Sequence, residues 1–170
     1  MQVFAIGYSN RTRAKFVKII AAHGITLVAD VRSIPRSRHQ PGFNKDAFRK
    51  FLSRHDIKYL HFKGLGGLRK SVQNSANAGW INKSFRGFAD YMQTREFKAA
   101  LKELAAIAIK ERIVLMCAEG NPFRCHRSLI ADALTVRGIS VCHISSAKSC
   151  REHLLTPFAK AVGKRITYPA

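Results

Sequence analysis

Residues 113–134 of the chain read IVLMCAEGNPFRCHRSLIADAL. The first four are apolar, the next twelve are mostly polar and include glycine and proline, and the last six are largely apolar again. This order predicts a buried strand, a loop and a helix. In open α/β sheets, ligands bind beyond the carboxyl ends of the strands. The loop at residues 117–128 is therefore the first place to expect a functional site.

Strand and helix patterns alternate on both sides of this segment. Apolar runs that predict further buried strands lie at residues 3–6, 25–29 and 139–144, and the alternating pattern of residues 57–62 predicts another strand. Because helical periodicity separates these runs, we predict a single α/β domain over residues 1–144, with a mostly parallel sheet of about five strands covered by helices on both faces. Residues 145–170 are predicted to form a basic C-terminal extension that packs on this domain or trails from it, with one helix near residues 154–162.

The composition favours one domain with an anionic partner. The chain has 170 residues, 46% of them hydrophobic, which suits one globular domain with a sizeable core. Thirty lysines and arginines against ten aspartates and glutamates give a formal net charge of +20. Such an excess favours a polyanion, so we expect nucleic acid or a nucleotide as partner. A basic solvated surface without a partner is the alternative.

The sequence also predicts a cytoplasmic protein without a membrane partner. The first residues lack the basic region and the long apolar stretch of a signal peptide, and no later run is long enough to span a bilayer. In that setting the four cysteines are expected to be thiols rather than a disulfide framework. No oligomeric state is predicted.

Three residues in the loop have side chains that catalysis commonly uses. Cys117 follows the predicted strand beside helix N–H groups and arginines, so it is a candidate nucleophile; the alternative is a buried thiol that packs as a small apolar group. Glu119 is a candidate general acid or base, or the ion-pair partner of Arg124 and Arg127. His126 is a candidate proton carrier, or a structural donor in the first helical turn.

A second polar group follows the predicted strand at residues 25–29. Asp30 is a candidate proton acceptor or the group that orients Arg32; the alternative is that it closes the following turn. Arginine binds phosphate with paired hydrogen bonds, so several arginines near strand ends favour a phosphate-bearing ligand. The predicted ligand-binding arginines are Arg32, Arg36, Arg38, Arg69, Arg124 and Arg127.

The loop matches the sequence motifs of known cysteine-containing active sites and metal sites only in part. Cysteine phosphatases place the arginine one residue nearer to the cysteine than Arg124 lies to Cys117. The Cys-Ala-Glu segment is similar to the zinc box of cytidine deaminases, but the Pro-Cys-x-x-Cys that follows there is absent. Cys117, Cys125 and His126 are residue types that bind divalent metals, so a metal site is an alternative, although zinc sites usually contain a close C-x-x-C pair. We predict no cofactor and assign no metal ligand.

Several short motifs occur together in the chain. They are Ile6-Gly7-Tyr8-Ser9-Asn10, Asp30-Val31-Arg32, Pro35-Arg36-Ser37-Arg38, Phe43-Asn44, Leu65-Gly66-Gly67, Phe88-Ala89-Asp90-Tyr91-Met92, and Cys117-Ala118-Glu119 with Cys125-His126-Arg127. This combination resembles the domain-of-unknown-function 488 family. The resemblance implies a single α/β domain and a site to which four segments contribute: Asn10, Asp30–Arg32, Leu65–Gly67 and residues 117–127. It implies no established reaction, and the family usually has histidine where this chain has Tyr8.

Three hypotheses about function follow. The first is an enzyme, a hydrolase or transferase, that acts on a phosphate-bearing ligand at the strand-end site. The second is a nucleic-acid-binding module without catalysis, which the net charge of +20 favours. The third is a partner-binding scaffold in which the Cys-His-Arg loop is purely structural.

Overall fold

The computed structural model describes residues 1–170. The strands are β1 (Gln2–Gly7), β2 (Leu27–Asp30), β3 (Lys58–His61), β4 (Ile113–Cys117), β5 (Ser140–Ser146), β6 (Ser149–Glu152), β7 (Lys160–Val162) and β8 (Arg165–Thr167). The α-helices are α1 (Arg13–Ala22), α2 (Lys45–Ser53), α3 (Lys83–Tyr91), α4 (Arg95–Ile107) and α5 (Arg127–Thr135). None of these helices has both the length and the apolar character needed to cross a bilayer.

The first six strands form one sheet in the order β3-β2-β4-β1-β5-β6. All pairings among the first five strands are parallel, and β6 pairs with β5 in the antiparallel direction. The predicted α/β fold with a mostly parallel sheet is therefore confirmed, with one strand more than expected. β7 and β8 form a separate hairpin.

Helices cover both faces of the sheet, which explains why its central strands are apolar without alternation. In β4, Ile113 and Leu115 face one core, whereas Val114 and Met116 face the other. Apolar residues of α3, α4 and α5 close the first core, and those of α1 and α2 close the second. The polar groups that follow the strands are left at the ends of the sheet.

β1 and β4 lie side by side and end at the same level. Gly7 is paired with Cys117, and the backbone N–H of Tyr8 donates to Cys117 O at 3.0 Å. A Cβ atom on Gly7 would lie 1.9 Å from the carbonyl oxygen of Glu119. Glycine at residue 7 therefore allows the loop after β4 to pass directly over the end of β1.

Residues 145–170 pack against the rest of the chain. β6 completes the sheet, and Tyr168 is fully buried in the first core. The helix expected at residues 154–162 is absent, and β7 occupies the end of that stretch. Pro157 lacks the N–H that a helix interior requires, and Gly163, with a φ of 57°, supplies the turn between β7 and β8.

The expectation that all four cysteines are thiols is wrong for two of them. Cys142 in β5 and Cys150 in β6 form a disulfide, with their Cα atoms 5.8 Å apart. The antiparallel register places Cys150 opposite Ile144, so Cys142 and Cys150 are diagonal neighbours on one face of the sheet. Cys117 and Cys125 are free thiols.

A buried polar cluster joins α5 to the C-terminal segment. The carboxylate of Asp132 accepts hydrogen bonds from His153 Nε2 at 2.8 Å, Thr156 Oγ1 at 2.7 Å and Tyr168 Oη at 2.8 Å. Asp132 itself has no exposed surface. A buried carboxylate needs such donors, so the cluster fixes the C-terminal segment onto the helix.

The same cluster contains a histidine that resists protonation. His143 Nε2 lies 3.0 Å from His153 Nδ1, whereas His143 Nδ1 is buried without a partner. A charged imidazole needs an acceptor for each ring N–H, and His143 has only one. Burial, followed by the nearby charges of His153 and Arg127, lowers the pKa of His143 to about 4.

We expect His143→Gln to reduce the loss of stability at low pH. Because the folded pKa of about 4 lies below the ordinary 6.5, the unfolded chain binds a proton between these pH values that the folded chain does not bind. The free energy of unfolding therefore falls as pH falls through this window, by up to about 1.4 kcal/mol per pH unit from this group. Urea titrations at several pH values should show a shallower fall in the variant. His39→Gln, at an exposed histidine, is the control. Equal slopes for H143Q and the unsubstituted protein would contradict this role of His143.

Candidate functional site

A cavity of about 370 Å³ opens at the carboxyl ends of β1, β2 and β4. Six residues predicted as site residues line it: Arg32, Arg36, Cys117, Glu119, Arg124 and His126. The segment after β2 and the loop after β4, which are far apart in the sequence, therefore meet at one hollow that is open to solvent.

Five other predicted residues are not part of the cavity lining: Asn10, Asp30, Arg38, Arg69 and Arg127. Asn10 lines a separate cavity, and Arg38 is exposed on the loop between β2 and α2. Arg69 donates from Nε to a backbone carbonyl at 3.0 Å and lies over an aromatic ring. Asp30 and Arg127 are 0% and 1% exposed, and each contacts a residue of the lining. Their roles in catalysis or ligand binding stay predictions.

An ion pair fixes the wall of the cavity that follows β2. Arg32 Nε donates to Asp30 Oδ1 at 2.9 Å, and Arg32 Nη2 donates to Phe43 O at 2.8 Å. Tyr59 Oη donates to the same carboxylate at 2.6 Å. Burial alone would lower the pKa of Arg32, but the hydrogen bonds and the charge of Asp30 outweigh it and raise that pKa. Asp30 Oδ1 also accepts from the backbone N–H of Arg32 at 3.0 Å, so Asp30 both orients the Arg32 side chain and closes the turn that follows β2.

Arg127 is the buried cation of the loop after β4. Its Nη2 donates to the carbonyl oxygen of Glu119, and its Nε donates to Cys125 Sγ at 3.2 Å. These two contacts hold the start and the end of the loop together. Arg127 forms no salt bridge with a carboxylate. Its charge therefore favours negative charge on the sulfur of Cys125.

The pKa values of Cys117 and Cys125 are shifted in opposite directions. A hydrogen bond from Cys117, followed by His126 and the charge of Arg127, lowers the pKa of Cys125 in spite of burial. The same hydrogen bond, followed by burial, raises the pKa of Cys117. The sulfur that loses its proton more readily is therefore that of Cys125, whereas the sequence analysis took Cys117 as the candidate nucleophile.

The imidazole of His126 contacts a carbonyl oxygen with one nitrogen and the sulfur of Cys125 with the other. Its Nε2 lies 2.8 Å from the carbonyl oxygen of Val31, so Nε2 carries a proton, and the neutral ring has its lone pair at Nδ1. Nδ1 lies 3.7 Å from Cys125 Sγ. A Cβ atom on Gly67 would lie 2.5 Å from Nδ1. The Leu65–Gly67 segment thus contributes space at the site rather than a side chain.

Charged side chains without ion-pair partners lie at the cavity mouth. Glu119 accepts a hydrogen bond at Oε1 from the backbone N–H of Asn121 at 2.9 Å. The ion pair expected between Glu119 and Arg124 or Arg127 is not formed. Arg36 and Arg124 are exposed and form no salt bridge. The mouth therefore presents two free guanidiniums and one free carboxylate.

Several features of the cavity were not predicted from the sequence. Cys125 was considered only as a metal ligand, although a second thiol in the same loop as Cys117 is itself a signal. The support that Tyr59 gives to Asp30 was not predicted, because this contact depends on the order of the strands. Ile34 and Leu68, which are 62% and 74% exposed, form an apolar rim of the cavity that no local pattern indicated.

Comparison with known proteins addresses the family of the chain. A family model described as "Domain of unknown function DUF488" matches residues 12–134. The matched region contains the Asp30–Arg32 motif and the whole loop after β4, whereas the motif at Ile6–Asn10 lies wholly before it. No curated protein and no solved structure matches the chain. Because the match covers more than half of the chain, the protein belongs to the DUF488 family, as the resemblance of its motifs implied.

Proposed function

We propose that the protein binds a phosphate-bearing ligand, a nucleotide or nucleic acid, in the strand-end cavity and acts on it as a hydrolase or transferase. The observation that carries this proposal is the position of Arg36 and Arg124, which come from two different loops, line one cavity and have no ion-pair partner. The planar donors of each guanidinium match the geometry and charge of a phosphate group. A cytoplasmic location belongs to the proposal as well.

Each part of the cavity has a role in this proposal. Arg36 and Arg124 hold the phosphate, and the apolar rim of Ile34 and Leu68 contacts a flat apolar part of the ligand, such as a nucleobase. Glu119 has one carboxylate oxygen without a protein partner, so it exchanges a proton with the ligand or with water. The two sulfurs lie at the base of the cavity, beside the place where the phosphate would bind.

We expect Arg36→Ala and Arg124→Ala each to weaken the binding of a nucleoside monophosphate by about tenfold or more, because each removes charge-assisted hydrogen bonds. Calorimetric titration at fixed ionic strength measures this affinity. Arg38→Ala is the matched control, since Arg38 is exposed on the same loop as Arg36 but does not line the cavity. If R38A weakens binding as much as R36A, the anion binds to the general surface charge and the cavity is not its site.

Glu119→Gln should slow turnover by roughly 10²- to 10⁴-fold while the affinity for the ligand changes little, because the amide keeps the shape of the side chain but cannot exchange a proton. Chromatography of a panel of nucleotides and oligonucleotides after incubation with the protein would identify the turnover. Glu103→Gln, on the exposed face of α4, serves as the control. Unchanged turnover in E119Q would show that Glu119 does not take part in the reaction. If the protein turns over none of the compounds, the enzymatic part of the proposal is wrong and only the proposed ligand binding remains.

Non-catalytic binding of nucleic acid is a second candidate function, and the net charge of +20 favours it. In that case the affinity for a single-stranded oligonucleotide should fall steeply with salt, with a slope of about −0.7 per phosphate contacted on a logarithmic plot. R38A and R36A should then weaken binding to a similar degree, since both side chains are exposed. Fluorescence anisotropy at several salt concentrations measures the slope, and a flat dependence would exclude this candidate.

A further inference from the structure

We propose that Cys117, Cys125 and His126 form a binding site for one divalent cation of the zinc type at the base of the cavity. One ligand atom from each of the three residues lies within 4.8 Å of the other two. A tetrahedral zinc site has Zn–S and Zn–N distances of about 2.3 and 2.0 Å, which places its ligand atoms roughly 3.5–3.8 Å apart. The distance from Cys125 Sγ to His126 Nδ1 is already 3.7 Å, so a small rotation of the Cys117 side chain would complete the set.

The hydrogen bond of the His126 imidazole is of the kind that is common for histidines that bind metal. Histidines that bind metal through one ring nitrogen commonly donate the other N–H to a carbonyl or carboxylate, which fixes the tautomer and the ring orientation. His126 has this arrangement, because its Nε2 donates to the carbonyl oxygen of Val31 and its Nδ1 lies 3.7 Å from the sulfur of Cys125.

The charges and the surroundings of the two sulfurs also suit a divalent cation. Two thiolates balance its charge, and thiolate with imidazole is the ligand set that zinc prefers. The hydrogen bond from Arg127 Nε to Cys125 Sγ supports a thiolate from outside the ligand set. No other three histidine, cysteine or acidic residues in the chain come together in this way.

The cavity leaves room for the ion and for a fourth ligand. The absence of a side chain at Gly67 keeps open the space beside His126 Nδ1, where a Cβ atom would lie 2.5 Å away. All three ligand residues line the cavity that Arg36 and Arg124 also line, so a fourth ligand could reach the ion from the cavity. Zinc with three protein ligands and one open position is typical of catalytic rather than structural sites.

The metal site adds to the proposed function. It rests on that function only for the identity of the ligand that would occupy the open coordination position. When bound there, a divalent cation would polarise a phosphoryl oxygen or activate a water molecule. The two sulfurs would then be metal ligands and not nucleophiles. The spacing of Cys117 and Cys125 differs from the C-x-x-C pattern of common zinc sites, which is why the sequence alone made metal the weaker alternative.

Titration with Co²⁺ under a reductant that does not bind metal, after treatment of the full chain with a chelator, tests the site. We expect one Co²⁺ per chain, with the thiolate-to-cobalt charge-transfer absorption and the intense visible bands of tetrahedral cobalt, and displacement of Co²⁺ by Zn²⁺. This readout needs no variant. Saturation without thiolate bands, or the absence of stoichiometric binding, would overturn the proposal.

Variants then assign the ligands. Cys117→Ser, Cys125→Ser and His126→Gln should each weaken Zn²⁺ binding by about tenfold or more, and G67A should weaken it although every ligand is present. C142S/C150S is the matched control, because it removes the other two cysteines and should leave the cobalt spectrum unchanged. Binding that survives in both C117S and C125S but is lost in C142S/C150S would place the metal elsewhere and overturn the proposal.

A parallel titration with inorganic phosphate separates this inference from the proposed function. Phosphate that binds through Arg36 and Arg124, in a protein that forms no cobalt site, would overturn the metal site and leave the proposed function standing. A cobalt site with thiolate bands in a protein that binds neither phosphate nor nucleotides would support the metal site and overturn the proposed function.

Discussion

The loop after β4 depends on the buried guanidinium of Arg127. It donates to the carbonyl oxygen of Glu119 and to the sulfur of Cys125, and only 1% of it is exposed. Since α5 begins at Arg127, the packing of that helix on the sheet sets the position of the guanidinium and, through it, the shape of the loop. Lysine could not replace it, because a single ammonium group lacks the fork of donors that reaches both acceptors.

The opposite wall of the cavity is built in the same way. Arg32 is buried against Asp30 and a backbone carbonyl, so each wall is held by a buried arginine that donates to groups inside the protein. Of the six arginines that the sequence marks as anion ligands, the four that line or contact the cavity lining therefore divide into two groups. Arg32 and Arg127 shape the cavity, whereas Arg36 and Arg124 have unpaired guanidiniums at its mouth. Rigid walls with free charges at the opening favour recognition of an anion, because little reorganisation is needed when it binds.

Local patterns were enough to predict the parallel sheet, the helices on both faces and the strand-end position of the site. Thr94 caps α4 with its side-chain oxygen, whereas the side chain of Asn44, at the start of α2, accepts a hydrogen bond from the backbone N–H of Ser37. The disulfide between Cys142 and Cys150 and the β7–β8 hairpin were not predicted, because they depend on a turn and a register that hydrophobic periodicity does not encode. For the same reason the sequence could not separate structural arginines from free ones, since that distinction depends on which carbonyl and sulfur atoms lie nearby.

The order of the strands also determines which backbone edges of the sheet are exposed to neighbouring molecules. Its outermost strands are β3 and β6, each only four residues long, with Lys58, Arg151 and Glu152 among their exposed side chains. A long, flat, uncharged outer strand would act as a template for strands of neighbouring molecules and lead to aggregation. Short, charged outer strands discourage such templated growth, because they offer few unpaired backbone groups and place charges beside them.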